Sequence, residues 1–318
     1  MTAITLLATY HRNLSGQGAV SAKRRDILKL RLDEYRRFAV PIENGLVNAA
    51  KLLTRAKIYD TGSLPYQTQL IPLSAICAFL DSAFESDVVK KSLARWYWCG
   101  VFGELYGGAN EARFANDIQE VLPWLNGGPD PRTIKDSNFA PIRLLTLQSR
   151  LSAAYKGLAA QLMQAGSADF ISGDAIELNT YYETAVDIHH IFPRAYCESI
   201  GLPRQKWNSV INKTPLSART NRVLGGRQPS MYLSSIERNY GVPADRLDTI
   251  LRTHLIDPAS LRLESFDAFV VGRASYLLDP IEESTGKPIA GRDSEEVVNA
   301  FGAALIPRGK RGILDKGS

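Results

Sequence analysis

A change of texture near Phe170 constrains the fold of this chain more than any other feature. Ahead of it, from about Ser21 to Thr54, Ile27, Leu28, Leu30, Leu32, Tyr35, Phe38, Leu46, Val47, Leu52 and Leu53 recur near helical spacing, with Lys23, Arg24, Arg25, Arg36 and Arg37 between them. Similar spacing predicts helices over 70–84, 87–106 and 142–163, and again beyond Tyr240 through Val270 and Leu278. Trp96, Tyr97, Trp98 and Phe102 read as core, Gly107 and Gly108 as a helix end, and Asn126 to Pro131 as a break. Past the turn-like run Phe170 to Asp174 the pattern differs. Residues 185–192 read as a short strand, 213–216 as a second, and Ser217 as the cap of a helix starting at Ala218. The expected fold is mainly α, with one ββα element embedded in helices. The expected division is a helical domain over 1–165, a domain carrying the ββα element over 166–283, and a weakly ordered or weakly docked tail over 284–318.

Length permits this division, since 318 residues are enough for two domains that each bury a core without disulfides. The cysteines Cys77, Cys99 and Cys197 are odd in number and widely spaced, with no CxxC pair, which suits a reducing cytoplasm. Met1 to Leu7 is too short and too lightly apolar for a signal peptide, and no run reaches the roughly 20 apolar residues of a membrane span. A membrane role is not expected. The net charge of +5 does not by itself establish nucleic-acid binding, so the placement of the charge matters more.

That placement centres on Asp187-Ile188-His189-His190-Ile191-Phe192-Pro193, which holds two of the four histidines, with Asn212 and Asn221 downstream. Hydrolysis of a phosphodiester needs a base for water and a cation to stabilise charge on the phosphate and the leaving oxygen. Histidine suits the first task at neutral pH. Arg194, Arg204, Lys206, Lys213, Arg219, Arg222 and Arg227 surround the motif and are opposed in that stretch by Glu198, an excess suited to phosphate contacts. One geometric difficulty is evident: adjacent strand residues face opposite sides, so regular pleating alone cannot aim His189 and His190 into one site.

The 187–193 run, the Asn212-Lys213 pair and Asn221 nine positions later resemble the HNH, or ββα-metal, nuclease of the RNA-guided CRISPR effectors. They resemble more closely the nuclease half of GmrSD-type restriction endonucleases. The resemblance implies His190 as general base, His189 and Asn221 as metal ligands, Asn212 as the residue that orients the base, and Asp187 as a supporting carboxylate or further ligand. It implies one divalent cation. Many relatives carry Asp or Glu at the position of His189, and imidazole accepts manganese, nickel or zinc as well as magnesium. Arg194, Lys213, Arg219, Arg222 and Arg227 are the expected DNA contacts. Leu64-Pro65-Tyr66, Leu70-Ile71-Pro72-Leu73, Arg95 to Trp98 and Phe102 to Gly108 extend the likeness over roughly Thr2 to Pro280. The implied function is metal-dependent DNA cleavage, with nicking the natural outcome of one site, in restriction of foreign or modified DNA. The family's nucleotide-binding sensor half and any Walker-type loop are missing from this sequence, so a sensor domain or subunit is an expected partner, and a second copy would be needed for a double-strand break made in one step. A fragment, a split subunit and a reduced family member all fit.

Other readings stay open at this level. The ββα element could be mainly structural in a DNA-binding or assembly subunit, or the substrate could be RNA. Taken singly, Asn212 is a turn residue, Asn221 a helix-surface amide, and the basic run a solvated face. Trp207 either stacks on a base or covers the loop; Gly225-Gly226-Arg227 either contacts phosphate or breaks a helix. The cluster Lys23 to Arg25 is either a DNA or partner contact or a solvated helix end. His11 and His254 lack supporting neighbours and read as structural, and nothing near Cys197 suggests a nucleophile.

Overall fold

A computed structural model describes residues 1–108 and 110–307. They divide into two compact units, Met1–Asn138 and a second that begins at Phe139, so the division falls ahead of the boundary at 165 expected from sequence.

The first unit is built from helices α1 (Thr2–Leu14), α2 (Leu32–Arg55), α3 (Leu70–Leu80), α4 (Asp87–Phe102) and α5 (Glu111–Leu125), joined by shorter turns. The sequence of α3, LIPLSAICAFL, is apolar nearly all round, as an interior helix requires, and α1, α2 and α5 pack on it. At the crossing of α2 and α3, a Cβ on Gly45 would lie 2.2 Å from the Ser74 carbonyl oxygen, so glycine permits the close approach. Trp96, Tyr97, Trp98 and Phe102 are all buried, as their helical spacing predicts. α4 stops at Phe102, before the expected Gly107, because Gly103 caps it and Glu104 turns into the left-handed region at φ 52°. Asp117 is the polar hub of this core. It accepts from Trp96 Nε1 at 3.1 Å, Tyr106 Oη at 2.6 Å and Thr133 Oγ1 at 2.6 Å, while burial raises its pKa.

In the second unit, α6 (Ala153–Gln164) packs against a two-stranded antiparallel ribbon of β1 (Asp187–His190) and β2 (Lys213–Leu216). The register pairs Asp187 with Leu216, His189 with Thr214 and His190 with Lys213. This is the only strand pair among the described residues. Helix α7 (Ala218–Leu224) follows β2 directly; Ser217 Oγ accepts from Thr220 N at 3.1 Å and so fills the N-cap role expected of it. Then come α8 (Pro229–Tyr240), α9 (Ala244–Thr253), the long α10 (Phe266–Thr285) and α11 (Glu295–Phe301). α10 packs against both α6 and the 210–212 turn that enters β2.

Two differences from the sequence reading position the site. The helix expected over 142–163 is interrupted: one turn at Arg143–Thr146 is followed by non-helical residues until α6 begins at Ala153. That interruption carries Gln148 and Arg150 to the ribbon. The segment after α10 is also better docked than expected. Ile289, Val297, Phe301 and Leu305 are buried, and Arg292 pairs with Asp279 at 3.0 Å and Glu282 at 2.8 Å. The basic end at Arg308, Lys310 and Arg311 lies outside the described residues. No helix among the described residues is long and apolar enough to cross a membrane.

Candidate active site

The ends of β1 and β2 are held in place by their exit loops. Ile191 N donates to Asn212 O at 2.9 Å, and Tyr232 Oη donates to Ile191 O at 3.0 Å. Phe192 is buried against Phe266 and Phe269, with ring centroids 5.2 and 4.9 Å away. From the interior, Arg273 donates Nη1 to the carbonyls of Ile211 and Lys213 and Nε to His254 O. His254, expected only to be structural, is a brace: its ring joins Thr214 Oγ1 on β2 at 2.6 Å to Ala168 O at 2.7 Å. Asp169 accepts from Ser217 N at 3.1 Å and Thr220 Oγ1 at 2.6 Å, tying down the start of α7.

This frame surrounds a polar cleft of about 300 Å³. His189 and His190 line it from β1, Lys213 from β2, and Asn221 and Gly225 from α7 and its end, with Pro193 and Arg194 beyond β1 and Gln148, Arg150 and Tyr155 from the segment before and within α6. Both histidines therefore reach one site despite being adjacent. Two-stranded ribbons twist more than wide sheets, and this ribbon is only four residues long on each side. No Asp or Glu lines the cleft.

Each imidazole keeps a buried Nε2 with no hydrogen-bond partner. Burial lowers the His189 pKa, Asp187 opposes the shift, and Arg150 adds to it. Burial and then Lys213 push His190 down to about 4, against a hydrogen bond to Asn208 that favours its protonated form. Asn208 donates its amide to Gln148 Oε1 at 3.3 Å, so its oxygen is the group left to accept from His190. Trp207 is buried with its ring 5.8 Å from His190; it packs beside that imidazole rather than offering a free stacking face.

Other expected site residues are placed differently. The Asn212 side chain spends its hydrogen bonds away from His190: its amide donates to Phe192 O at 2.8 Å and Trp207 O at 2.9 Å, and its oxygen accepts from Phe192 N. The residue that meets the His190 ring is Asn208, four positions earlier. Asp187 does not line the cleft but pairs with Arg150 Nη1 at 3.0 and 2.9 Å. Lys213 is buried; its ammonium donates to Gln148 O at 2.8 Å, lies 5.4 Å from the Tyr155 ring centroid, and is pushed down to about 8 by burial and by Arg150. Arg194 lines the cleft while pairing with Glu198 at 2.8 Å. Arg219 and Arg222 line a different cavity of about 310 Å³ with Asp169, Asp174 and Glu183, and Arg227 is exposed outside both. Gly225 ends α7 at φ 54°, so the helix-break reading of that glycine pair accounts for it. Cys197 is buried with its thiol pushed up to about 12, consistent with an inert side chain.

Sequence reasoning missed Gln148, Arg150, Tyr155 and Asn208. Gln148, Arg150 and Tyr155 precede β1 by more than thirty residues, and only the interrupted helix brings them near. Among the described residues, no three His, Cys, Asp or Glu side chains are grouped to hold a metal. His189, whose Nε2 is unpartnered, and Asn221 both line the cleft.

No known protein family's sequence profile matches the chain. It is similar to an uncharacterized protein of Methanocaldococcus jannaschii, 27% identical over 215 residues that take in 59% of this chain and 36% of that protein. The match thus spans about a third of the relative's length.

Proposed function

We propose that the second unit is an HNH-type, ββα-metal endonuclease that hydrolyses DNA phosphodiester bonds one strand at a time. The observation that carries this reading is the pair of buried, unpartnered imidazole Nε2 atoms in one carboxylate-free cleft, with Asn221 and three cationic side chains around them. The order β1, β2, α7 and the motif's resemblance to HNH nucleases support the same reading.

In this mechanism His190 Nε2 takes a proton from the attacking water as the water oxygen bonds to phosphorus. His190 Nε2 has no hydrogen-bond partner in the fold, which leaves its lone pair available to accept that proton. One P–O ester bond breaks, and the leaving oxygen is protonated from solvent. Lys213 and Arg194 place positive charge beside the phosphate. His189 and Asn221 fit a divalent cation, because an imidazole nitrogen left without a partner and a carboxamide oxygen are competent donors and leave the remaining positions to water and phosphate oxygens. Such a cation, when bound, stabilises charge on the phosphate and the leaving oxygen. Asp187 is assigned no ligand role, since Arg150 engages it away from the cleft.

The setting, restriction of foreign or modified DNA in a cytoplasm together with a nucleotide-binding sensor, rests on the resemblance alone. The test is incubation of supercoiled plasmid with the protein in magnesium, manganese, nickel or no metal. Metal-dependent conversion to nicked circles is expected. DNA shifted but uncut with every metal would instead make the chain a binding or assembly subunit, and cleavage of RNA in preference to matched DNA would change the substrate.

A further inference from the structure

The cleft contains an arginine that the motif does not include. Arg150 lies 37 residues before Asp187 on the non-helical stretch ahead of α6, yet it reaches both carboxylate oxygens of Asp187 through Nη1, at 3.0 and 2.9 Å. The stretch that carries it is anchored at three places to β2 and the loop that leads into it. Val210 N donates to Leu147 O at 2.8 Å, Lys213 Nζ donates to Gln148 O at 2.8 Å, and Asn208, which also meets His190, donates to Gln148 Oε1 at 3.3 Å. Arg150 is therefore positioned by the same residues that position the base and the buried lysine.

Of the cations at this cleft, Arg150 pairs with Asp187 and Arg194 with Glu198, while Lys213 is buried against a backbone carbonyl. Arg150, Lys213 and Arg194 line one cleft with two imidazoles and no acidic side chain. Burying the Lys213 ammonium costs free energy that an anion seated beside it would offset. The Asp187 pair fixes the guanidinium through Nη1 and leaves Nε and Nη2 available, the fork geometry that binds a phosphate through two oxygens.

We propose that Arg150 is the phosphate anchor of the cleft, contacting non-bridging oxygens of the substrate phosphodiester, and that Asp187 is the positioning carboxylate that aims it. This rests on reading the cleft as a phosphodiester site. It replaces a metal-facing role for Asp187 with an arginine-facing one, and adds to the site a residue outside the HNH motif.

The test uses the full chain. Plasmid nicking is compared for wild type, Arg150→Ala, Arg150→Lys and Asp187→Asn. Equilibrium binding of a short DNA duplex is measured in a His190→Ala background, with and without Arg150→Ala, across a salt series, and thermal melting of every variant checks the fold. Arg150→Ala should lower kcat/KM about 100-fold without lowering the melting temperature. In the uncut duplex it should weaken binding about tenfold and make the salt dependence shallower by about one released ion. Arg150→Lys should recover part of the binding and less of the rate, because a point charge cannot grip two oxygens, and Asp187→Asn should fall between. Wild type that nicks while Arg150→Ala nicks within twofold of it overturns the anchor but leaves the nuclease intact. Wild type that binds without nicking, with binding still lost in Arg150→Ala, keeps the anchor and removes the nuclease. Binding unchanged by Arg150→Ala overturns the anchor whether or not the wild type cuts.

Discussion

Asn212 and Phe192 hold each other by two reciprocal hydrogen bonds: Phe192 N donates to Asn212 Oδ1 at 2.8 Å, and Asn212 Nδ2 donates to Phe192 O at 2.8 Å. The same amide also donates to Trp207 O at 2.9 Å, so one buried side chain locks the exit of β1, the entry of β2 and the loop between them.

Asn212→Ala would leave the Phe192 amide and the Trp207 carbonyl without these partners and the Phe192 carbonyl with only the weak Cys197 thiol donor, a loss of about 3 kcal/mol. Urea denaturation should show the midpoint fall with little change in slope. Activity should fall only as far as the folded fraction does, because the Asn212 side chain bonds away from the base. A variant of full stability but no activity would return Asn212 to a catalytic role.

His190→Ala is expected to behave in the opposite way. It removes a side chain whose Nε2 satisfies nothing in the fold, so melting should change little while nicking drops by roughly 1,000-fold or more. Unchanged nicking by this variant would sink the assignment of the base.

His189→Asp tests the proposed cation site through its chemistry. A carboxylate in place of the imidazole favours hard cations, so the ratio of nicking in magnesium to nicking in manganese or nickel should rise. Asn221→Ala should raise the metal concentration needed for half-maximal rate. A rate indifferent to both changes and to chelation would exclude His189 and Asn221 as ligands.

His254 makes acid stability a readout of the frame. Its imidazole is fully buried, with burial first and then the Arg273 charge resisting protonation, while the bond to Ala168 O and the Asp169 charge favour it; the balance holds the folded pKa near 4 against 6.5 unfolded. Between those values the unfolded chain binds more protons, so stability falls as pH drops from 6.5 toward 4, by roughly 3 kcal/mol for this group. His254→Gln should be less stable at neutral pH and should lose less on acidification. Parallel losses in both proteins would mean that another group titrates in that window.

How much of this was legible beforehand depends on the range of the interaction. Ser217 as the cap of α7, β2 over 213–216, the buried aromatic run of α4 and the apolar α3 follow from patterns within a few residues of each other, and the structure has them. β1 was read too long at both ends. Ala185 sits at φ 50°, and after His190 the chain is drawn into the Asn212 clamp. The interruption before α6 is not legible in the sequence because its apolar residues keep a helix-like spacing, while the carbonyls of Leu147 and Gln148 accept from Val210 N and Lys213 Nζ instead of from a following helical turn.

Sequence alone determined which chemistry the chain carries: two adjacent histidines, two spaced carboxamides and a basic surround, placed where helical periodicity gives way to a ribbon and a capped helix. Only the tertiary structure decided how those residues are used. It put both histidines in one cleft, turned Asn212 into a backbone clamp, brought Asn208 to His190, drew Asp187 to Arg150 and placed Arg219, Arg222 and Arg227 elsewhere. The physical reason is that side-chain partnership is settled by packing across the fold. A residue's chemistry is local, but its partner can lie 37 positions away, as Arg150 does from Asp187, and no periodicity along the chain records that distance.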